Sequence, residues 1–409
     1  MKIKQNNNFL IYTLSLLPLL SLGMVSISIA LFIIGSIINF TTNRTKQNNY
    51  YSTLGILIIF SAPFILNIIA ILWTDHFSTG IGIIRKTLPF FLIPATILFL
   101  KPFQNFYEVN QAKKFYIIST IILVIITLVF ISFNLIDILD ARNNYFINIK
   151  LRKTIENVPV VGEHPIYFSL LIAIALLLLF YNRFKNKYVN VISYFILLVG
   201  LFIASSRGVL IASSITVILI GFRKIKSSIY RLSFVILFAV SLIAIVNLPP
   251  MKARIEEVTN SKYLFPQGVH YNSFNIRMAI YKCSFFVIKE KPLLGYGSGD
   301  VQGALNRCYD QYETDVFNAK TFNTHNQFLD YWASFGIIGL IIILICIFYL
   351  LKVALKNSNF EYFNFLVLII ISMLTENILS RNTGIVLFVY LNCLLYYPNL
   401  LKKDLNDHH

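Results

Sequence analysis

The sequence predicts an all-α polytopic membrane protein of about twelve transmembrane helices, with a large helical loop before the tenth. Three observations predict it. Of 409 residues, 57% are hydrophobic and 13% charged, with a mean hydropathy of +0.70, a composition whose outer surface faces lipid. Apolar segments recur at about 9–21, 23–40, 53–74, 83–100, 115–136, 164–181, 188–204, 208–221, 231–247, 326–351, 361–377 and 383–398. In hydrocarbon every backbone polar group needs an internal partner, so such segments cross as helices. The net charge of +17 then falls on alternate connections. With a cytoplasmic N-terminus, the inner segments hold eighteen bases against four acids and the outer ones seventeen bases against fourteen acids. That asymmetry is the positive-inside pattern. The pI near 9.6 therefore reports topology and attraction to the inner leaflet, and no nucleic-acid partner is needed to explain it.

Taken in order, 1–247 carries nine spans, 248–325 forms the large outer loop, and 326–409 carries the last three spans and a cytoplasmic tail. The first span has the basic start and apolar centre of a secretory signal, but no Ala-x-Ala-like site follows, so it reads as retained. The outer segment 137–163 has mixed charges. At the sixth span, Glu163 and His164 precede Pro165, whose fixed φ suits the first helical turn.

The seventh and eighth spans share the 34 residues from Val189 to Phe222, in which Arg207 is the one charged side chain. Roughly 17 residues per helix is about 25 Å, barely enough to cross, so Arg207 lies at the outer interface. Its surroundings, Ser205, Ser206 and Gly208, form a turn. Two readings are open: a guanidinium snorkelling to headgroups, or an anion site built from hydroxyls, backbone N–H groups and a helix start.

The outer loop contains an apolar helical face of Ile276, Ala279, Ile280, Cys283, Phe286 and Val287, with Arg277 near its start and Lys289, Glu290 and Lys291 near its end. Pro292 and a Gly-Tyr-Gly-Ser-Gly run stop that helix. The run lacks the Lys-Ser/Thr ending of a phosphate loop and reads as a structural turn. Cys283 and Cys308 share this loop; a disulfide and two unpaired small apolar residues are equally open. At the tenth span, Asn326, Asp330 and Ser334 recur at i, i+4 and i+8, a polar stripe directed at the bundle interior. His325 stands at the helix mouth, and Gly336 and Gly339 permit close packing. Glu376 and Arg381 flank the last outer turn, where they read as a structural ion pair.

These residues resemble the O-antigen ligase family. The pattern His-Asn, nine residues, Gly, two residues, Gly is met by His325, Asn326, Gly336 and Gly339. The Ser-Arg-Gly turn is met by Ser206, Arg207 and Gly208, and an arginine opening a helix that leads to Pro-Leu-Leu-Gly-x-Gly by Arg277, Pro292, Leu293, Leu294, Gly295 and Gly297. The resemblance implies a GT-C-like fold with a periplasmic loop. It implies a metal-independent glycosyltransferase, without cofactor, that moves a glycan from a polyprenyl (undecaprenyl) diphosphate carrier to a hydroxyl acceptor, the lipid A-core in lipopolysaccharide biosynthesis. It also implies a bacterial inner membrane, both termini cytoplasmic and the site on the periplasmic side. His325, Arg207 and Arg277 are then the expected catalytic residues, with Ser206, Asn326, Asp330, His164 and Arg381 binding substrate.

Other readings stay open. An O-antigen polymerase uses a second carrier-linked glycan as acceptor, and often carries Arg, ten residues, Gly in two outer loops. Here nine residues separate Arg152 from Gly162, and Arg277 has no glycine at the matching place. A ligase acting on protein belongs to the same class. A secondary transporter or flippase also has twelve spans, but calls for related halves and charges at mid-membrane.

Overall fold

The computed structural model describes residues 9–43, 50–140, 144–236, 259, 261, 263–319 and 321–406. A 3-10 helix, Phe9–Leu19, is followed by α1 (Leu22–Asn43), α2 (Tyr50–Ala70), α3 (Phe77–Thr87), α4 (Pro89–Leu100) and α5 (Phe106–Phe133). Then come α6 (Leu135–Leu139), α7 (Asn144–Glu156), α8 (Pro165–Tyr181), α9 (Lys187–Ala204) and α10 (Arg207–Lys224). The remaining helices are α11 (Ser273–Glu290), α12 (Val301–Tyr309), α13 (Val316–Ala319), α14 (Gln327–Lys356), α15 (Phe360–Met373) and α16 (Asn382–Asn406). No strand occurs among the described residues, only isolated bridges at Gln267–His270 and Gly268–Thr314.

Among the described residues, seven helical stretches are long and apolar enough to cross a membrane: Gly23–Thr42, Thr53–Trp73, Phe77–Leu100, Phe106–Phe133, Lys187–Ala204, Gln327–Lys356 and Asn382–Leu401. The chain is thus an all-helical, polytopic membrane protein. The difference from twelve has identifiable sources. Pro165–Tyr181 and Phe360–Met373 are apolar but short. α10 carries Arg207, Arg223 and Lys224 within eighteen residues. The first apolar segment is an eleven-residue 3-10 helix, buried between α1 and α5, about 22 Å long at 2.0 Å per residue. Most of the expected ninth span lies outside the described residues, as do Lys2, Lys4, Arg44 and Lys46.

The core forms around α8 and α16. On α8 Leu170, Leu171, Ile172, Ile174, Ala175, Leu178 and Leu179 are all buried, so this helix is enclosed on every side by α5, α9, α10 and α15, as uniform apolarity predicts. α1, α5, α9 and α14 instead expose rows of Ile, Leu and Phe, the surface expected of helices with one face toward lipid.

Segment 263–319 packs as a small helical unit against α14. α11 opens with a reciprocal cap: the Asn272 side chain accepts from the backbone of Phe274 and Asn275, and the Asn275 side chain accepts from the Asn272 N–H. Cys283 on α11 and Cys308 on α12 form a disulfide, closing the question that the spacing left open. The helix buries Ala279, Ile280, Cys283 and Val287 as the apolar spacing predicts, but Phe286 is exposed. α12 covers only the side of α11 that carries the disulfide, so the apolar pattern is wider than the buried face.

Candidate active site

Two turns, 324–327 before α14 and 374–381 between α15 and α16, are laced together. Thr324 Oγ1 pairs with the Asn377 side-chain amide, Leu379 N–H donates to Gln327 Oε1 at 2.8 Å, and Asn326 Nδ2 donates to the Leu374 carbonyl at 3.1 Å. Tyr167 of α8 donates its hydroxyl to the Ile378 carbonyl at 3.0 Å. Asn326 also caps α14, its Oδ1 accepting from Phe328 and Leu329 N–H. The amide expected to bind substrate is therefore engaged within the protein, where it positions its neighbour. That neighbour, His325, adopts φ +46°, a left-handed conformation that costs a non-glycine residue about 1 kcal/mol or more.

The lacing brings His325 to Glu376. The carboxylate accepts from His325 Nδ1 at 2.8 Å through one oxygen and from the Arg277 guanidinium through the other. Arg277 Nη1 also donates to the Thr375 carbonyl at 3.1 Å. Burial by itself would raise the Glu376 pKa; the hydrogen bond and charge of His325, with the charge of Arg277, outweigh it and hold the carboxyl below its ordinary value. The expected Glu376–Arg381 ion pair is therefore corrected. Glu376 turns to Arg277 and His325, while the Arg381 guanidinium stands 5.7 Å from the Tyr167 ring centroid. Residues five apart straddling a short 3-10 turn point to different sides.

Arg207 joins the same neighbourhood. Its Nη2 donates to Ser273 Oγ at 3.1 Å, and Ser273 stands one turn before Arg277 on α11. Gly208 packs so closely on Thr375 that a Cβ would lie 2.1 Å from Thr375 Oγ1. The buried Ser206 is the N-cap residue of α10, after Ser205 in a left-handed turn. Arg152, on α7, donates to the Ala204 carbonyl at 3.2 Å and adds a guanidinium beside that turn. Sequence reading gave Glu376 only a structural ion pair and Arg152 only a place in the polymerase comparison, because their partners here lie 51 or more residues away.

A cleft of about 1120 Å³ lies nearby, lined among others by Arg85, Lys86, Glu156, Glu163, His164 and Arg381. Burial, reinforced by Arg381 and Arg152, pushes His164 down to about 4. Glu163 is raised by burial despite the hydrogen bond from Thr383 Oγ1 at 2.7 Å. Asp330 lies one turn into α14, with Lys86 and Asn377 as its polar neighbours. His164 and Arg381 thus line the cleft, while Arg277, His325 and Glu376 form the bonded cluster. Among the described residues no group of three or more His, Cys, Asp or Glu side chains is gathered as a metal ion requires.

The glycines have a structural task. α14 breaks at Gly336 (φ +67°), where a Cβ would lie 2.0 Å from the Leu293 carbonyl oxygen. The turn after α11 fits into the break: Ile337 N–H donates to Pro292 O at 2.8 Å, Tyr296 N–H to Ala333 O at 2.8 Å and Gly297 N–H to Ser334 O at 2.9 Å. Asp300 then accepts from the backbone of Asp75 and His76, linking this turn to the start of α3. The two glycine patterns seen in the sequence are the two halves of one joint, which fixes α11, and so Arg277, against the helix that follows His325.

No curated protein matches this chain. Residues 192–344 match the family model described as O-Antigen ligase. The matched stretch includes Arg207, Arg277, His325, Gly336 and Gly339, and ends before Glu376. Over that stretch, with its arginines and histidine gathered at one place among apolar helices, the chain is similar to the O-antigen ligase family.

Proposed function

We propose that this protein transfers a glycan from a polyprenyl diphosphate carrier to a hydroxyl acceptor at the periplasmic face of the bacterial inner membrane, and that the acceptor is the lipid A-core. The observation that carries this reading is the meeting of Arg277 and His325 on the two oxygens of Glu376, with Arg207 on Ser273 one turn away. Breaking the anomeric C–O bond to the carrier places negative charge on the departing diphosphate. Fixed guanidinium groups in a site of low dielectric stabilise that charge without a cation, which is the role of Arg207 and Arg277. Glu376 takes one Arg277 donor and orients the guanidinium.

The acceptor needs its proton removed as its oxygen attacks the anomeric carbon. Glu376 on Nδ1 fixes the imidazole so that Nε2 is the nitrogen left to take the proton. The forming C–O bond, the broken bond to diphosphate and the proton on His325 balance the step. The charged cleft beside His164 and Arg381 has room for sugars, and the prenyl chain runs along apolar helix faces. The loop 248–325 and outer segment 137–163 lie on the periplasmic side in this reading, with both termini cytoplasmic.

The test is turnover without a gradient. Purified protein given carrier-linked glycan and lipid A-core is expected to yield glycolipid; elongated carrier-linked polymer in its place points to polymerisation. Equal product from wild type and Arg207→Ala overturns the diphosphate assignment. His325→Ala is expected to bind donor normally and to lose rate, and lost binding with normal chemistry reverses the roles.

A further inference from the structure

We infer that α11 is an interfacial helix, seated on the bilayer leaflet on its own side of the membrane, with phospholipid as the occupant of its exposed aromatic face. The depth of this helix can be read from α14. Counting about twenty residues, the length that crosses the hydrocarbon, back from Lys352 reaches Trp332. A tryptophan at that level is an ordinary interfacial anchor, and its indole N–H donates to the Pro292 carbonyl at 3.3 Å. Gly336, the break that receives Leu293, lies four residues further in, about 6 Å deeper at 1.5 Å per residue. Leu293 and Leu294 are both exposed there, next to the exposed Ile338, Ile341 and Ile345 of α14. Exposed leucines at that depth, continuous with the lipid-facing row of a candidate span, border lipid.

The last turn of α11 must then lie at headgroup level, since Glu290 is only two residues from Pro292. One turn earlier, Phe285 and Phe286 are exposed between Lys282 and Lys289, a set spaced i, i+3, i+4, i+7 on one face. These four side chains line a groove of about 630 Å³ against Cys308, Gln311 and Tyr312. Aromatic rings beside a lysine suit the boundary where acyl chains meet phosphates: the rings enter and the Lys289 ammonium reaches the headgroups, while the Lys282 ammonium stands 4.8 Å from the Phe265 ring centroid. The disulfide and the Gly336 joint hold α11 at this height. Arg277 is nine residues before Phe286, about 13 Å along the helix, so seating α11 on lipid fixes how far the guanidinium stands above the leaflet.

The experiment places the photoreactive residue p-benzoylphenylalanine at Phe286, Leu294 or Phe348 of the full chain, in nanodiscs of phosphatidylethanolamine and phosphatidylglycerol. Phe348 is exposed on the lipid-facing side of α14 and serves as the positive control. After irradiation, a mass shift of one phospholipid is expected at all three positions. If Phe348 gives the lipid adduct while Phe286 gives only water addition or a cross-link within the chain, the inference fails. A lipid adduct at Leu294 with none at Phe286 overturns it as well, because contact is then confined to the turn. The readout needs no substrate, so it stands or falls separately from the transfer reaction.

Discussion

Two largely enclosed carboxylates, Glu361 and Glu376, each bridge segments far apart in the chain, yet they build different things. Glu361, at the start of α15, accepts from Lys113 of α5 at 2.6 Å and from Asn182, after α8, at 2.5 Å. Glu376, beyond the other end of α15, joins Arg277 and His325. The two carboxylates are equally enclosed, with side chains 14% and 13% exposed. Their partners decide the outcome. Lys113 is 4% exposed, whereas His325 and Arg277 are 24% and 32% exposed. A closed pair of this kind is a clamp whose energy goes into holding helices together. The open cluster keeps an imidazole nitrogen and guanidinium donors within reach of a ligand. The comparison teaches that a bridging carboxylate marks a site only when its partners still face accessible space.

The sharpest way to break this contrast is activity. His325→Ala is expected to lower transfer by about 10²–10⁴-fold, the usual contribution of a positioned acid–base group, while Glu361→Ala keeps normal turnover per folded molecule. Similar losses in both, measured as initial rates on protein of matched folded fraction, erase the distinction. Stability runs the other way. Glu361→Ala leaves Lys113 buried without its counter-charge and is expected to cost about 3–5 kcal/mol. Glu376→Ala leaves a part-exposed arginine that water reaches, and is expected to cost about 1 kcal/mol. Denaturation of the two variants in one detergent checks the order.

His164 sharpens the electrostatic side of the comparison. Its folded pKa of about 4 lies below the ordinary 6.5, so between these values the unfolded chain binds more protons and stability rises with pH. Acidification from pH 6.5 to 4 should therefore remove about 3 kcal/mol through this residue. His164→Asn retains an N-cap acceptor for α8 and should flatten that slope in thermal unfolding followed against pH; an unchanged slope assigns it elsewhere. A separate substitution tests the joint. Gly336→Ala forces a side chain into left-handed backbone, about 1–3 kcal/mol on that account alone, and onto the Leu293 backbone, so a cost above that range is expected, read as a lower unfolding midpoint.

Much of this was legible in the chain, for reasons that are local. Long apolar runs, basic inner connections and Pro165 at a helix start are readable because hydrocarbon thickness and backbone geometry act on consecutive residues. A lone charge such as Arg207 in an apolar stretch, and the i, i+4 spacing after His325, also report locally. Asn326 illustrates the limit: its place at the helix mouth was visible, but its engagement with the Leu374 carbonyl was not. Phe286 fits an apolar helical period and is nevertheless exposed, because periodicity cannot tell lipid from protein as the covering material.

What the amino-acid order determined by itself is the solvent: an all-helical membrane protein, with its rare charges and turn-forming residues at helix ends. The tertiary structure alone decided the pairing. Glu376 chose Arg277 and His325 over the nearby Arg381, Cys283 found Cys308, and two glycine patterns closed on each other at Gly336. Hydrophobic periodicity acts between neighbours along the chain, whereas hydrogen bonds and ion pairs of 3 Å form only after distant segments have been brought into register by packing.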